Sequence, residues 1–122
     1  MAHYEIPQIH SYEEYEAFWE KAKQTPEYHH EWDIEFEWNL KIEDADDPRV
    51  REIFHSNVII LDVFKKYYKQ RVRTVTRLHP DDTVYILDSI QITNEDFYYM
   101  LHPEGKDNIT KYITCCDRIV AA

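Results

Sequence analysis

The sequence predicts an α+β fold: an N-terminal helix, then a ferredoxin-like βαββαβ antiparallel sheet with its helices on one face. Three observations predict it. Residues 31–42 alternate strictly, with Trp32, Ile34, Phe36, Trp38, Leu40 and Ile42 apolar and polar residues between them, the period of a half-buried strand. Residues 12–22 repeat at the helical period instead. The chain has 122 residues, 43% hydrophobic and 15% aromatic, which suits one globular domain over 1–122 and is too apolar for a disordered chain.

Each element has its own local signals. Ser11 followed by Glu14 is a capping box, and Tyr12, Tyr15, Phe18, Trp19 and Ala22 form the apolar stripe of the helix behind it. Thr25-Pro26 ends that helix. The alternating strand 31–42 follows. Asp47 as N-cap and Pro48 at the first helical position open a second helix over 48–70, with Val50, Phe54, Asn57, Leu61, Phe64 and Tyr68 on one face and Ile59 and Val63 outside it. Val58 to Phe64 is also β-rich, and as a strand it would give an antiparallel sheet with helices at one end. Cap and length favour the helix. Residues 71–78 read as a strand with Arg71, Arg73, Val75 and Arg77 on one face, and 79–82 as a turn. Thr83 to Ile92 reads as a third strand, with Val84, Ile86, Asp88, Ile90 and Ile92 on one face. Thr93 or Asn94 caps a short helix to about Leu101, Ile109 to Cys116 is a last strand, and Ile119 to Ala122 is a short tail.

Composition excludes several chemistries. The only glycine is Gly105, so no phosphate-cradling loop, dinucleotide fingerprint or nucleophile elbow can be written. The seven histidines include no pair at zinc-site spacing, and the two cysteines, Cys115 and Cys116, are adjacent, so neither metal nor cofactor is expected. Neighbouring cysteines on a strand face opposite ways and read as reduced residues of a cytoplasmic protein. No secretory signal and no apolar run of membrane-spanning length is present.

Net charge is −10, which argues against direct binding of nucleic acid or an anionic membrane. The charge is banded. Residues 1–62 carry 16 acids and 5 bases, 63–77 carry 6 bases and no acid, and 78–122 carry 8 acids and 3 bases. Within the first band, Glu31, Asp33, Glu35 and Glu37 occupy the outer face of one strand, about 6.6 Å apart. Each neighbouring pair repels by about 0.6 kcal/mol at water-like dielectric, so the row costs about 2 kcal/mol unless a cationic surface faces it.

Three function classes are expected. The first is a small acidic cytoplasmic protein that binds and neutralises a basic protein, for example a nucleic-acid-binding enzyme, through Glu31, Asp33, Glu35 and Glu37. In size, charge and its acidic strand the chain resembles small acidic inhibitors: immunity proteins, antitoxins and viral counter-defence proteins. The second is a protein or enzyme taking a small-molecule or nucleotide ligand, using Arg71, Arg73, Arg77, Tyr85, Asp88 and Tyr112. Here Asp88 falls on an apolar face, where an acid needs a partner or a function. The third is a homodimeric structural or assembly protein that buries the open face of its sheet. A ferredoxin-like order would keep the 31–42 strand apart from the arginine strand, leaving its acids without an internal counter-charge.

Overall fold

Ser11 opens the first helix as its spacing predicts. Its Oγ accepts the Glu14 N–H at 3.2 Å, and α1 runs Tyr12–Ala22. Tyr15, Phe18 and Trp19 pack on Phe36 and Trp38, with ring centroids 5.3–5.7 Å apart. The computed structural model describes residues 6–26, 28–29, 34–75, 82–114 and 117–122. They form a mixed α+β fold with three α-helices and a single sheet.

Among the described residues the strands are β1 Gln8–Ile9, β2 Glu37–Asn39, β3 Arg71–Val75, β4 Tyr85–Thr93, β5 Phe97–Pro103, β6 Lys111–Thr114 and β7 Arg118–Ala121. β4 is the hub. It pairs antiparallel with β5 from Tyr85 to Ile92, and β6 follows β5. Its other edge is shared. β2 pairs with the end carrying Gln91 to Thr93, and β3 with the end carrying Tyr85 and Ile86. β1 flanks β2 in parallel and β7 flanks β3 antiparallel.

This order is not ferredoxin-like, and the differences have local causes. The helix expected over 93–101 is strand β5. Thr93 Oγ1 accepts the N–H groups of Glu95 and Asp96 and donates to Asp96 O, so the residue expected to cap a helix closes a hairpin instead. Phe97, Tyr99 and Leu101 then face the core, and Tyr98, Met100 and His102 face away. The expected tail is strand β7, in register with β3 from Val72↔Ala121 to Val75↔Arg118. Among the described residues of the expected strand 31–42, only Glu37 to Asn39 pair as a strand, with Leu40 N–H still donating to Ile90 O at 2.9 Å. β4 turns away after Thr93, the partner of Glu37, so no strand remains for Ile34 to Phe36. Buried Phe36, Trp38 and Leu40 keep the alternation. The acids Glu31 and Asp33 lie outside the described residues, as do Arg77, most of the 79–82 turn, Cys115 and Cys116.

Residues 58–64 are helical, as the cap signal favoured, but 48–70 is not one helix. α2 runs Pro48–Phe54 from an Asp47 cap, and α3 runs Ile59–Tyr67. Between them His55 takes φ 49°, ψ −118° and leads a 3₁₀ turn, His55–Asn57. Ser56 and Asn57 are weak helix formers, and the break falls on them. Val50, Phe54, Leu61 and Phe64 are buried and Ile59 is exposed, as the face assignment requires, whereas Asn57, expected on that face, is exposed and Val63, expected outside it, packs half-buried on the core.

All three helices cover one sheet face. Trp38, Val72, Tyr85, Leu87, Ile90, Ile92, Tyr99, Leu101, Ile113 and Ile119 point into that core. The register shifts between Leu87 and Ser89, a β-bulge at Asp88. The extra residue reverses the phase, so Leu87 and Ile90 share the core face and Asp88 leaves it. The expected apolar face bearing Asp88 therefore does not form, and the acid stands half-buried on the opposite side.

Candidate functional site

The sheet face away from the helices carries Glu37, Asn39, Ile86, Asp88, Gln91, Tyr98, Met100, His102, Tyr112, Arg71 and Arg73, as the register dictates. Charge divides it into two ends.

The acidic end is built on β2, the final turn of β4 and the outer strands. Glu37, Gln91, Tyr98 and Tyr112 line a shallow groove of about 220 Å³. Next to it a depression of about 240 Å³ is bounded by Ile6, Glu35, Glu37, Thr93, Glu95 and Tyr98. Tyr98 meets Tyr112 edge-to-face with centroids 6.5 Å apart, and Tyr112 is 49% exposed. Gln91 donates to Asn39 Oδ1 at 2.9 Å, and Gln8 Nε2 donates to Glu37 Oε1 at 2.7 Å. Both partners are neutral amides. Among the described residues no cation lies within ion-pair distance of Glu35, Glu37 or Glu95.

The basic end is different. Arg71 bonds Glu104 through Nε at 2.7 Å and through a terminal nitrogen at 3.3 Å. Lys69 reaches Asp88 at 3.1 Å, and on the helix side of the sheet Lys65 of α3 pairs with Asp46. Asp88 Oδ2 also meets His102 Nδ1 at 2.7 Å, with Asp107 3.4 Å from the other ring nitrogen. Arg73 is exposed and has no carboxylate within ion-pair distance among the described residues.

The sequence-derived residues therefore part company. Glu35 and Glu37 come together at the acidic end. Arg71, Arg73 and Asp88 share the other end, but Tyr85 and Tyr112 do not share a face. Tyr85 sits in the core, where Lys111 Nζ donates to its hydroxyl at 3.1 Å, whereas Tyr112 stands on the open face opposite Met100. The expected ligand patch is thus split by the sheet, and two of its charges are already engaged. Glu95 and Tyr98 escape the sequence reading because 93–101 reads as a helix, and Gln91 because simple alternation along β4 puts it on the face of Tyr85 and Leu87 until the bulge at Asp88 reverses it. The short aromatic-rich apolar run Phe97-Tyr98-Tyr99-Met100-Leu101 is the signal for a strand there.

Resolved proton-affinity shifts lie elsewhere, around α1 and α2. Hydrogen bonds from the Arg49 side chain and backbone hold the Asp47 carboxyl below its usual range. Glu13 is lowered by its own backbone N–H and then by Arg49. Asp44 is raised, chiefly by burial. Among the described residues no trio of His, Cys, Asp or Glu is placed to hold a metal ion, and no helix is long and apolar enough to cross a membrane. Comparison with protein-family models, with curated proteins and with solved structures finds no match to this chain.

Proposed function

We propose that this protein binds a basic protein partner through the acidic end of its open sheet face, and that binding masks the partner's own cationic surface. The observation that carries the reading is the unequal treatment of charge on one face. On that face Lys69 and Arg71 have carboxylates supplied by the fold and Arg73 does not, while among the described residues Glu35, Glu37 and Glu95 have no cation within ion-pair distance and Glu37 has only the Gln8 amide. Like charges kept together without a counter-ion strengthen the local field and steer a cationic partner. Tyr98 and Tyr112 beside them supply rigid aromatic area of the kind that anchors interfaces. The sequence adds Glu31 and Asp33 to the same acidic run. An enzyme that binds nucleic acid through lysines and arginines has the complementary surface, and occupying that surface inhibits it.

The test is capture at low salt from the lysate of the native host, repeated with Glu35→Gln/Glu37→Gln. The reading expects one basic protein that a high-salt wash releases, whose nucleic-acid-dependent activity falls on titration with this chain, and which the double variant retains poorly. Equal capture by both forms sinks it. Light scattering separates the homodimer, which would bury the same face in a second copy carrying the same −10 charge.

A further inference from the structure

A larger cleft meets the acidic depression at the β4–β5 turn, where Phe36, Thr93, Asn94 and Glu95 belong to both. It holds about 570 Å³ and is walled by the rings of Tyr12, Tyr15, Trp19 and Phe36 together with the carboxylates of Glu52 and Glu95. Ring faces attract a cation within about 6 Å, and a carboxylate gives it a charge-assisted hydrogen bond. A cleft offering both is selective for a cation that can stack.

The protein already displays this arrangement once, at the edge of the same cleft. The Arg49 guanidinium stands 4.4 Å over the Tyr12 ring while it bonds Glu13 at 3.1 Å and Asp47 at 2.8 Å. Its charge is met by those two acids. Glu52 and Glu95 have no cation within ion-pair distance among the described residues. Burial, and then the Glu16 carboxylate, hold the Tyr12 hydroxyl above its ordinary value against the opposing charge of Arg49, with Glu52 adding a smaller push upward. His55, also on the cleft wall, keeps a backbone conformation that favours glycine, and such strain collects at binding sites.

We infer that this cleft receives an arginine side chain of the basic partner, laid on the aromatic wall and bonded to Glu52 and Glu95. The inference rests on the partner reading above and adds an anchor to it: the open face attracts, and the cleft holds. Arginine fits better than lysine because its planar guanidinium both stacks and donates in a fork. The shared Phe36 and Glu95 let one partner segment touch both places.

The experiment uses hexa-arginine and hexa-lysine, equal in charge, titrated into the full chain at low salt by calorimetry. The wild type should bind hexa-arginine at least about threefold more tightly, and Glu52→Gln should lower its hexa-arginine affinity about fivefold to tenfold and erase that preference. The Trp19 indole N–H resonance, assigned by its loss in Trp19→Phe, should move with hexa-arginine. Melting curves of both variants confirm folding. Equal affinity for the two peptides, no binding, or wild-type affinity in Glu52→Gln overturns the inference. Glu35→Gln/Glu37→Gln should weaken both peptides equally. If that variant binds as wild type while Glu52→Gln does not, the open-face reading fails and the cleft stands.

Discussion

The two ends of the open sheet face are made of similar strands and treated in opposite ways. At the β3 end Lys69 and Arg71 each reach a carboxylate brought from another part of the chain, the bulge residue Asp88 and Glu104 beyond β5, while Arg73 has none among the described residues. At the β2 end Glu35, Glu37 and Glu95 have no cation among the described residues, although the chain has cations to give. β4 enforces the separation, because β2 and β3 lie one after the other along the same edge and never pair. The fold thus gives two cations of one end a counter-charge and leaves the described acids of the other end without one.

Four variants sharpen or break that contrast. Tyr98→Ala should show the largest effect, weakening the partner complex by about 2 kcal/mol, roughly thirtyfold, with little change in melting temperature. A large melting loss with affinity intact would make Tyr98 a packing residue. Asp88→Ala at the basic end should do the reverse. It strands Lys69 and half-buried His102, and chemical denaturation should show a loss of about 1–2 kcal/mol while partner affinity stays. Glu37→Gln should leave stability unchanged or raise it by up to about 0.5 kcal/mol, since it removes repulsion and Gln8 keeps an acceptor. A clear destabilisation would reveal an internal counter-charge.

The smallest effect concerns pH. Arg49 depresses Asp47 and, after Glu13's own backbone N–H, also Glu13, so its contribution is present above the unfolded carboxylate values of about 4 and is lost as pH falls through the lower folded values. The melting difference between wild type and Arg49→Met should therefore be full at neutral pH and close toward zero in strong acid. A gap independent of pH would assign Arg49 to packing on Tyr12 alone.

The parts of this fold that are legible in the sequence are those where one signal acts within one element. The Ser11 cap, the Asp47-Pro48 start, the helicity of 58–64 and the outward Arg71 and Arg73 all appear as the spacing predicts. Illegible parts arise where two elements compete for one residue. Thr93 offers its hydroxyl to backbone N–H groups in a helix cap and in a hairpin turn alike, and only the partner strand decides between them. The bulge at Asp88 is invisible to alternation counting, because one extra residue reverses every later assignment on β4. The length of β2 depends on where β4 ends, which is a property of the sheet. Half of the acidic site was legible for the same reason. Glu35 and Glu37 announce themselves by their own alternation, whereas Glu95 and Tyr98 join them only through the hairpin.

The proposed recognition lies at the acidic end of the open face and not at its β3 end. Reciprocal charge reversal tests it most directly, measuring partner affinity side by side for Glu35→Lys/Glu37→Lys and for Arg71→Glu/Arg73→Glu. The first variant should lose the partner by about a hundredfold or more without melting below the wild type, while the second keeps partner affinity and melts lower. A first variant that still binds, beside a second that does not, would contradict it.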